Sequence, residues 1–203
     1  MKMKILIIAL TFVLILPATA TSQSPATGTI NGYEYVDLGL SVKWATCNIG
    51  ASQPSDYGYY FAWGETFPKS SYDRDNCSTK GKETGNIKGN STYDAARANW
   101  GSTWRLPTIQ ECNELENCEW IETTIDGHKG YKIIGKNGNS IFLPAAGLKI
   151  GNALNYESSH GGFMTSAPFG TDACWDLFFN IGNNKGVGNG AREHGRSVRP
   201  VSE

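Results

Sequence analysis

The chain has 203 residues, and its 18 basic and 19 acidic side chains give a formal net charge of −1 at pH 7. This near balance provides no basic surface for nucleic acid or anionic lipid, so no nucleic-acid partner is predicted. The 24 glycines and six tryptophans, with few long apolar runs, are typical of a loop-rich fold around a single core.

The first twenty residues have the pattern of a secretory signal. Lys2 and Lys4 precede an apolar run, and a small-x-small cleavage pattern ends at Ala20. The run is too short to span a bilayer comfortably and no second run follows, so no transmembrane segment is predicted. We expect an exported protein, located outside the cell, on its surface or in the periplasm. The predicted divisions are a signal peptide at residues 1–20, a flexible leader at 21–32 and one domain at 33–203.

Alternating side chains predict three strands early in the domain. They lie at residues 33–38, 42–47 and 59–63, the last of which is strongly aromatic. The polar, aperiodic stretch at residues 69–89 predicts a long surface loop. A short helix is expected next, over residues 91–100, with Ser91 or Thr92 as its N-cap.

A second helix has the clearest start in the chain. Thr108 and Glu111 have the spacing of a capping box, and Pro107 favours a fixed entry angle. Cys112 and Leu115 continue an apolar stripe suited to packing on a sheet. Arg105 is expected to be paired if it is buried. The side chains predicted to be largely buried are Trp44, Trp63, Trp104, Leu106, Ile109 and Leu115.

The C-terminal half is predicted to consist of strands and turns. Asp126-Gly127 and Asn137-Gly138 are strong hairpin signals, because both dipeptides tolerate the positive φ of a type I′ turn. The predicted elements are a meander at 120–124, 131–134 and 140–143, an irregular stretch at 147–162, strands at 163–166 and 173–181, a glycine-asparagine loop and a strand at 197–201. Together with the two helices, these elements predict an α+β fold with antiparallel sheets and long loops.

Familiar catalytic and metal-binding motifs are not matched. The glycines at 186, 188 and 190 are too close together for a phosphate-binding loop and precede no amphipathic helix, so they indicate a hairpin loop. His128, His160 and His194 have no partner at ligand spacing. No cofactor, metal site or catalytic residue is predicted. The five cysteines leave at least one thiol without an internal partner. If the second helix runs through both Cys112 and Cys118, these two are too far apart to pair with each other.

Five ordered segments, spanning nearly the whole predicted domain, together resemble one family. They lie at residues 35–40, 43–51, 56–66, 104–108 and 195–201, and include Arg-Leu-Pro-Thr at 105–108. These segments are similar to the Fibrobacter succinogenes major paralogous domain, a family of secreted and surface proteins of gut Bacteroidetes. The resemblance implies a C-type-lectin-like fold, with terminal strands pairing and an inserted region of long loops.

The chain lacks the motifs that carry two better-defined activities in families with this fold. Arg-Leu-Pro-Thr before a helix is also similar to the formylglycine-generating, sulfatase-modifying enzymes, which share the fold and use a pair of copper-binding cysteines. This chain has only Cys174 after Cys118, so that oxidase chemistry is not implied. The calcium-binding motifs of C-type lectins are also unmatched, so calcium-mediated sugar binding is not implied.

The ligand-binding surface is predicted at the C-terminal strands. Alternation along 173–181 places Leu177 and Phe179 on the core face and directs Phe178 outward between Asp176 and Asn180. The alternative is that the preceding loop covers Phe178. The predicted site residues are Tyr156, His160, Phe163, Asp176, Phe178, Asn180, Asn183 and Asn184.

We therefore expect an exported or surface-displayed module that binds a protein or glycan ligand, with its oligomeric state left open. One alternative is a retroelement-diversified variable protein. Such proteins also have C-type-lectin-like domains with variable, often asparagine-rich C-terminal strands before a fixed ending. A second alternative is an enzyme whose site is assembled from distant residues.

Overall fold

The computed structural model describes residues 24–203 except Asn183. The predicted signal peptide at 1–20 and the first residues of the predicted leader lie outside this part. The strands are β1 Gly28–Ile30, β2 Tyr33–Val36, β3 Lys43–Ala45, β4 Tyr60–Phe61, β5 Glu119–Ile125, β6 His128–Ile134, β7 Ser140–Pro144, β8 Leu148–Ile150, β9 Ala153–Asn155, β10 His160–Phe169, β11 Ala173–Asn180, β12 Lys185–Ala191, β13 Arg196–Ser197 and β14 Val201–Ser202. The helices are a 3-10 turn at Arg74–Asn76, α1 at Ala95–Trp100 and α2 at Ile109–Glu116.

These strands form mainly antiparallel sheets. One sheet has the order β1-β2-β3-β14, a second β12-β11-β10-β13-β4, a third β5-β6-β7, and β8 pairs with β9. Only the β10–β13 pairing is parallel among the described strands. The architecture is therefore a β-rich α+β fold with few short helices, as the sequence predicts.

Two apolar clusters form the core on opposite faces of the five-stranded sheet. In the first, Cys112 and Leu115 of α2 pack with Leu177 and Phe179 of β11. The second joins Trp63, Trp104 and Leu106 to α1 and to Met164 and Cys174 of the sheet, each fully buried. The sheet is thus covered on one face by α2 and on part of the other by the second cluster.

The start of α2 confirms the predicted capping box. Thr108 Oγ1 accepts from Glu111 N at 3.3 Å, and Glu111 Oε2 accepts from Thr108 N at 2.8 Å. Arg105 is buried and donates to both Glu111 oxygens, at 2.9 and 2.7 Å. Of the six side chains predicted to be buried, only Ile109 is half-buried instead.

The Arg105–Glu111 pair gives an expected pH dependence. Burial opposes ionisation, but the Arg105 guanidinium and the Thr108 N–H outweigh it and lower the pKa of Glu111. The stabilisation from this carboxylate is therefore present above its unfolded pKa of about 4.3 and is lost as pH falls through the lower folded value. Glu111→Gln should reduce the free energy of unfolding by about 2 kcal/mol at pH 7.

Urea unfolding at pH 7 and in acid checks this expectation. The difference between the wild type and Glu111→Gln should shrink as the wild-type carboxyl group becomes protonated and neutral like the amide. A difference that stays constant across the acid range would contradict the assignment.

Four local predictions were wrong in instructive ways. Helix α1 is capped by Asp94 and not by Ser91 or Thr92, because the Asp94 side chain accepts from the N–H groups of Ala96 and Arg97 in the first turn. Part of the predicted flexible leader is the strand β1, paired in antiparallel register with β2. The predicted irregular stretch contains the β8–β9 hairpin. The predicted glycine-asparagine loop is mostly the strand β12, paired along its length with β11.

The two predicted turns differ from each other. Asp126 and Gly127 have φ of 49° and 83°, as a type I′ turn requires. In the second turn only Gly138 has a positive φ, 85°, and Gly135 N donates to Asn139 O at 2.8 Å. The β6–β7 connection is therefore longer than a two-residue turn.

The five cysteines are all free thiols. Helix α2 ends at Glu116, before Cys118, so the single helix on which the predicted separation of Cys112 and Cys118 rested does not extend to Cys118. Cys112 and Cys174 are fully buried in the two core clusters, and burial raises the pKa of Cys174 to about 11. Both act as small apolar core residues and not as reactive thiols.

Candidate functional site

One face of the sheet β10–β11–β12 changes from core to solvent along β11. On this face Cys174 is fully buried in the second cluster, Asp176 is 6% exposed, Phe178 is half-buried and Asn180 is exposed. The cluster therefore covers only the first half of the strand. Beyond it lies an open cleft of about 390 Å³, called here the Phe178 cleft. Its lining residues are Leu148, His160, Asp176, Phe178, Gly188, Asn189, Gly190, His194 and Arg196.

Glycines of β12 make room for this cleft. Gly188 pairs with Asp176 and Gly190 pairs with Cys174, so both lie on the same face as Phe178. A Cβ atom on Gly188 would lie 3.0 Å from the Phe178 ring, and one on Gly190 would lie 2.4 Å from the Arg196 guanidinium. The alternating glycines thus leave the face open and let neighbouring side chains occupy the space above the strand.

Two rings form the wall nearest to solvent. The His160 and Phe178 rings are nearly parallel, at 15°, with centroids 6.3 Å apart. His160 Nδ1 lies 2.9 Å from Asn180 Oδ1, and since an amide oxygen accepts, Nδ1 is the donor. Tyr156 is exposed, and its ring centroid is 6.2 Å from that of His160. The site thus combines an apolar wall with exposed polar groups.

A buried ion pair closes the inner end of the cleft. Arg196 Nε donates to Asp176 Oδ2 at 2.7 Å, and both residues are more than nine-tenths buried. The same guanidinium donates through Nη1 to the carbonyls of Ala191 and His194. Burial, followed by the nearby Arg196 charge, lowers the pKa of His194, so this imidazole is neutral at pH 7. The inner end therefore provides fixed, compensated charges and a neutral ring.

The outer edge of β12 is open for pairing. Asn180 N donates to Asn184 O at 2.6 Å, so these two residues form a hydrogen-bonded pair. Hydrogen-bonded and non-hydrogen-bonded pairs alternate along an antiparallel ladder. The backbone N–H and C=O groups of Val187 and Asn189 therefore point away from β11. Neither backbone donates to or accepts from another described residue outside the sheet ladder. An extended chain could therefore pair along this edge, next to the Phe178 cleft.

The structure brings together only part of the predicted site. Asp176 and Phe178 line the cleft with His160, and Asn180 holds His160 in place. Phe163 was predicted to join them, but it lies on the opposite face, buried in the first core cluster against Phe179. Phe163 of β10 lies directly opposite Leu177 of β11, so its side chain is on the same core face as Leu177. This pairing explains the correction.

The remaining asparagines lie elsewhere. Asn184 is exposed and lines a separate groove with Trp120, Tyr131 and Lys185. Asn183 falls outside the described residues. Asp176 also differs from its predicted role, since its carboxylate is committed to Arg196 and is not free at the surface.

Six lining residues were not predicted from the sequence. They are Leu148, Gly188, Asn189, Gly190, His194 and Arg196. The alternate glycines at 186, 188 and 190 were a usable signal, because glycine at every second position of a strand clears one face. Arg196 gave no such signal, since its partner Asp176 is twenty residues away in the chain.

The described residues contain no group of three or more His, Cys, Asp or Glu side chains placed to hold a metal ion. Within the same part of the chain, none of the helices has the length and apolar character needed to cross a membrane. Comparisons of the chain with protein-family models, with curated proteins and with solved structures find no match.

Proposed function

We propose that the protein is an exported ligand-binding module with a C-type-lectin-like fold, which binds its ligand in the Phe178 cleft. Two features support the fold. The first and last strands lie in one sheet, where β14 and β2 flank β3. Motif residues such as Trp44, Trp104 and Val201 are buried in the core. Export rests on the signal pattern at residues 1–20, and detection of the protein in a secreted or envelope fraction tests it.

The observation that carries the binding proposal is the half-buried Phe178 ring, open to solvent between His160 and a glycine-lined strand. An aromatic ring with polar neighbours suits contact with a ligand, because it offers a large apolar area next to hydrogen-bonding groups. A protein ligand fits best. Leu148 and Phe178 offer an apolar pocket for a side chain, and the open edge of β12 offers backbone pairing to the same ligand.

Phe178→Ser is the variant that tests the site. A displayed library of linear peptides, selected on the wild-type protein, should yield binders whose affinity falls at least about tenfold with Phe178→Ser. Phe169→Ser is the matched control, since this ring is 47% exposed at the far end of β10 and packs on Trp175. It should bind the peptides like the wild type.

Three results would count against a protein ligand in this cleft. Peptides that bind Phe178→Ser as tightly as the wild type would place their site elsewhere. A library without binders, alongside glycans that bind the wild type and not Phe178→Ser, would favour the glycan alternative. Substrate turnover lost with His160→Ala would favour the enzyme alternative.

A retroelement-diversified protein is the second candidate function. It is favoured by the exposed positions of Asn180 and Asn184 at the β11–β12 turn and of Asn189 farther along β12. The following Arg199 and Val201 are fully buried, as a fixed ending would be. The neighbouring genes test this candidate. A reverse transcriptase beside a near-duplicate of the segment coding for β11 and β12 is expected, and its absence would reject the candidate.

A further inference from the structure

We propose a second binding site, for an uncharged saccharide, in a cleft that shares no residue with the Phe178 cleft. It is called here the tyrosine cleft and has a volume of about 380 Å³. It lies where β2, the C-terminal end of α1 and the segment between β3 and β4 meet. Its lining residues are Tyr33, Ile49, Gly50, Ala51, Ser52, Tyr59, Asn99 and Trp100.

Two exposed tyrosine rings are the main feature of this cleft. Tyr33 stacks on Trp100 with ring centroids 4.0 Å apart and planes 7° from parallel. One face of the Tyr33 ring is therefore held on a buried tryptophan, while the residue remains 36% exposed. Tyr59 is 53% exposed on the other side of the cleft. Rigid, exposed aromatic rings are the usual feature of a binding surface, because they offer contact area at low entropic cost.

Gly50 fixes the second ring. It has φ of 79°, and a Cβ atom at this position would lie 2.4 Å from the Tyr59 ring. Tyr59 N also donates to Ile49 O at 2.8 Å, which anchors its backbone to the same segment. The Tyr59 ring therefore lies directly against the Gly50 backbone. Both tyrosines are held in place before any ligand arrives, which reduces the entropic cost of binding.

The polar groups of the cleft are also fixed. Asn99 Nδ2 donates to Thr66 O at 2.9 Å and to Ala95 O at 2.8 Å, so its amide is oriented with Oδ1 still able to accept. Ser52 Oγ donates to Asp56 Oδ2 at 3.0 Å and can also accept. Neither tyrosine hydroxyl is bonded to another described residue. The cleft thus offers two fixed acceptors and two phenol groups to a ligand.

These features fit a sugar better than other ligand classes. A pyranose presents C–H groups on one face, which suit an aromatic ring, and hydroxyl groups at its rim, which suit the acceptors of Asn99 and Ser52. No side chain lining the cleft is charged, so nothing there would compensate an ionic ligand. An apolar protein side chain would leave the fixed polar groups unpaired.

Saturation-transfer NMR with maltotetraose, cellotetraose and mannotetraose tests the site. We expect at least one of these neutral probes to bind with a dissociation constant of about 1 mM or below. Its affinity should change little with ionic strength, because no charge contacts it. Tyr59→Ala and Tyr33→Ala should each reduce the affinity by about tenfold or more.

Phe178→Ser is the control that separates the two sites, and it should bind the same saccharide like the wild type. If Tyr33→Ala does not fold because it uncovers Trp100, Tyr59→Ala decides alone, since that ring is half exposed. The proposal is overturned if none of the three probes binds the folded wild-type protein. It is also overturned if binding survives Tyr59→Ala, or if binding is lost with Phe178→Ser alone.

Discussion

Replacing Asp94 by alanine should lower the free energy of unfolding by about 4 kcal/mol. The Asp94 carboxylate is fully buried and accepts from the backbone N–H groups of Gly89, Ala96, Arg97 and Leu106, at 2.7 to 3.1 Å. It therefore joins the end of the long loop, the start of α1 and the segment that leads to α2. Alanine would leave four donors without this acceptor, and two of them, Ala96 N and Leu106 N, are in buried hydrogen bonds.

Chemical denaturation of Asp94→Ala and of two comparison variants measures this effect. Asp94→Asn keeps one acceptor oxygen and should lose less stability. Asp56→Ala removes a similar carboxylate, which accepts from Ser52 N and Gln53 N at 3.0 and 2.9 Å but is only half-buried. Water can replace it, so a loss of about 1 kcal/mol is expected. Equal losses for Asp94→Ala and Asp56→Ala would show that burial of the carboxylate is unimportant.

The two helix starts show what could be predicted from the sequence. The capping box at Thr108 and Glu111 is contained within four residues, so spacing alone identifies it. At α1, Ser91, Thr92 and Asp94 are all competent caps, and the choice depends on a distant contact. Asp94 also accepts from Leu106, twelve residues away, and no local pattern reveals that bond.

The sheets also show the difference between features set by local sequence and features set by distant contacts. The β5–β6 hairpin was predictable because Asp126-Gly127 matches the backbone of its own turn. The strand β12 was not, because its glycines disfavour an isolated strand and are tolerated here by pairing with β11 along seven residues. Tertiary pairing thus outweighed local propensity.

The candidate site was predictable in its centre and not in its surroundings. Alternation along β11 correctly separated Phe178 from the core residues Leu177 and Phe179. It could not show that the second core cluster covers Cys174 and brings Asp176 to its border. Nor could alternation within β11 assign a face to Phe163, because that face depends on how β10 pairs with β11.

Asp176→Ala should lower the free energy of unfolding by about 3 to 5 kcal/mol, although the sequence predicts a surface residue there. The reason is Arg196, whose Nε donates to Asp176 at 2.7 Å and whose side chain is 1% exposed. Without Asp176 this charge stays in the interior with only the carbonyls of Ala191 and His194 as acceptors. The matched control is Asp172→Ala, which breaks an exposed pair with Arg74 at 3.8 Å and should cost less than about 0.5 kcal/mol.

A double-mutant cycle separates loss of the pair from loss of either side chain. Asp176→Ala combined with Arg196→Met should be more stable than Asp176→Ala alone, because the unpaired charge is removed. Additive losses in the cycle would refute this explanation, because they would show that Asp176 and Arg196 contribute to stability independently of each other. If the coupling is found, any variant that changes Asp176 loses ligand binding through unfolding as well as through lost contacts. Phe178→Ser, which keeps the Asp176–Arg196 pair intact, is then the substitution that reports on the cleft itself.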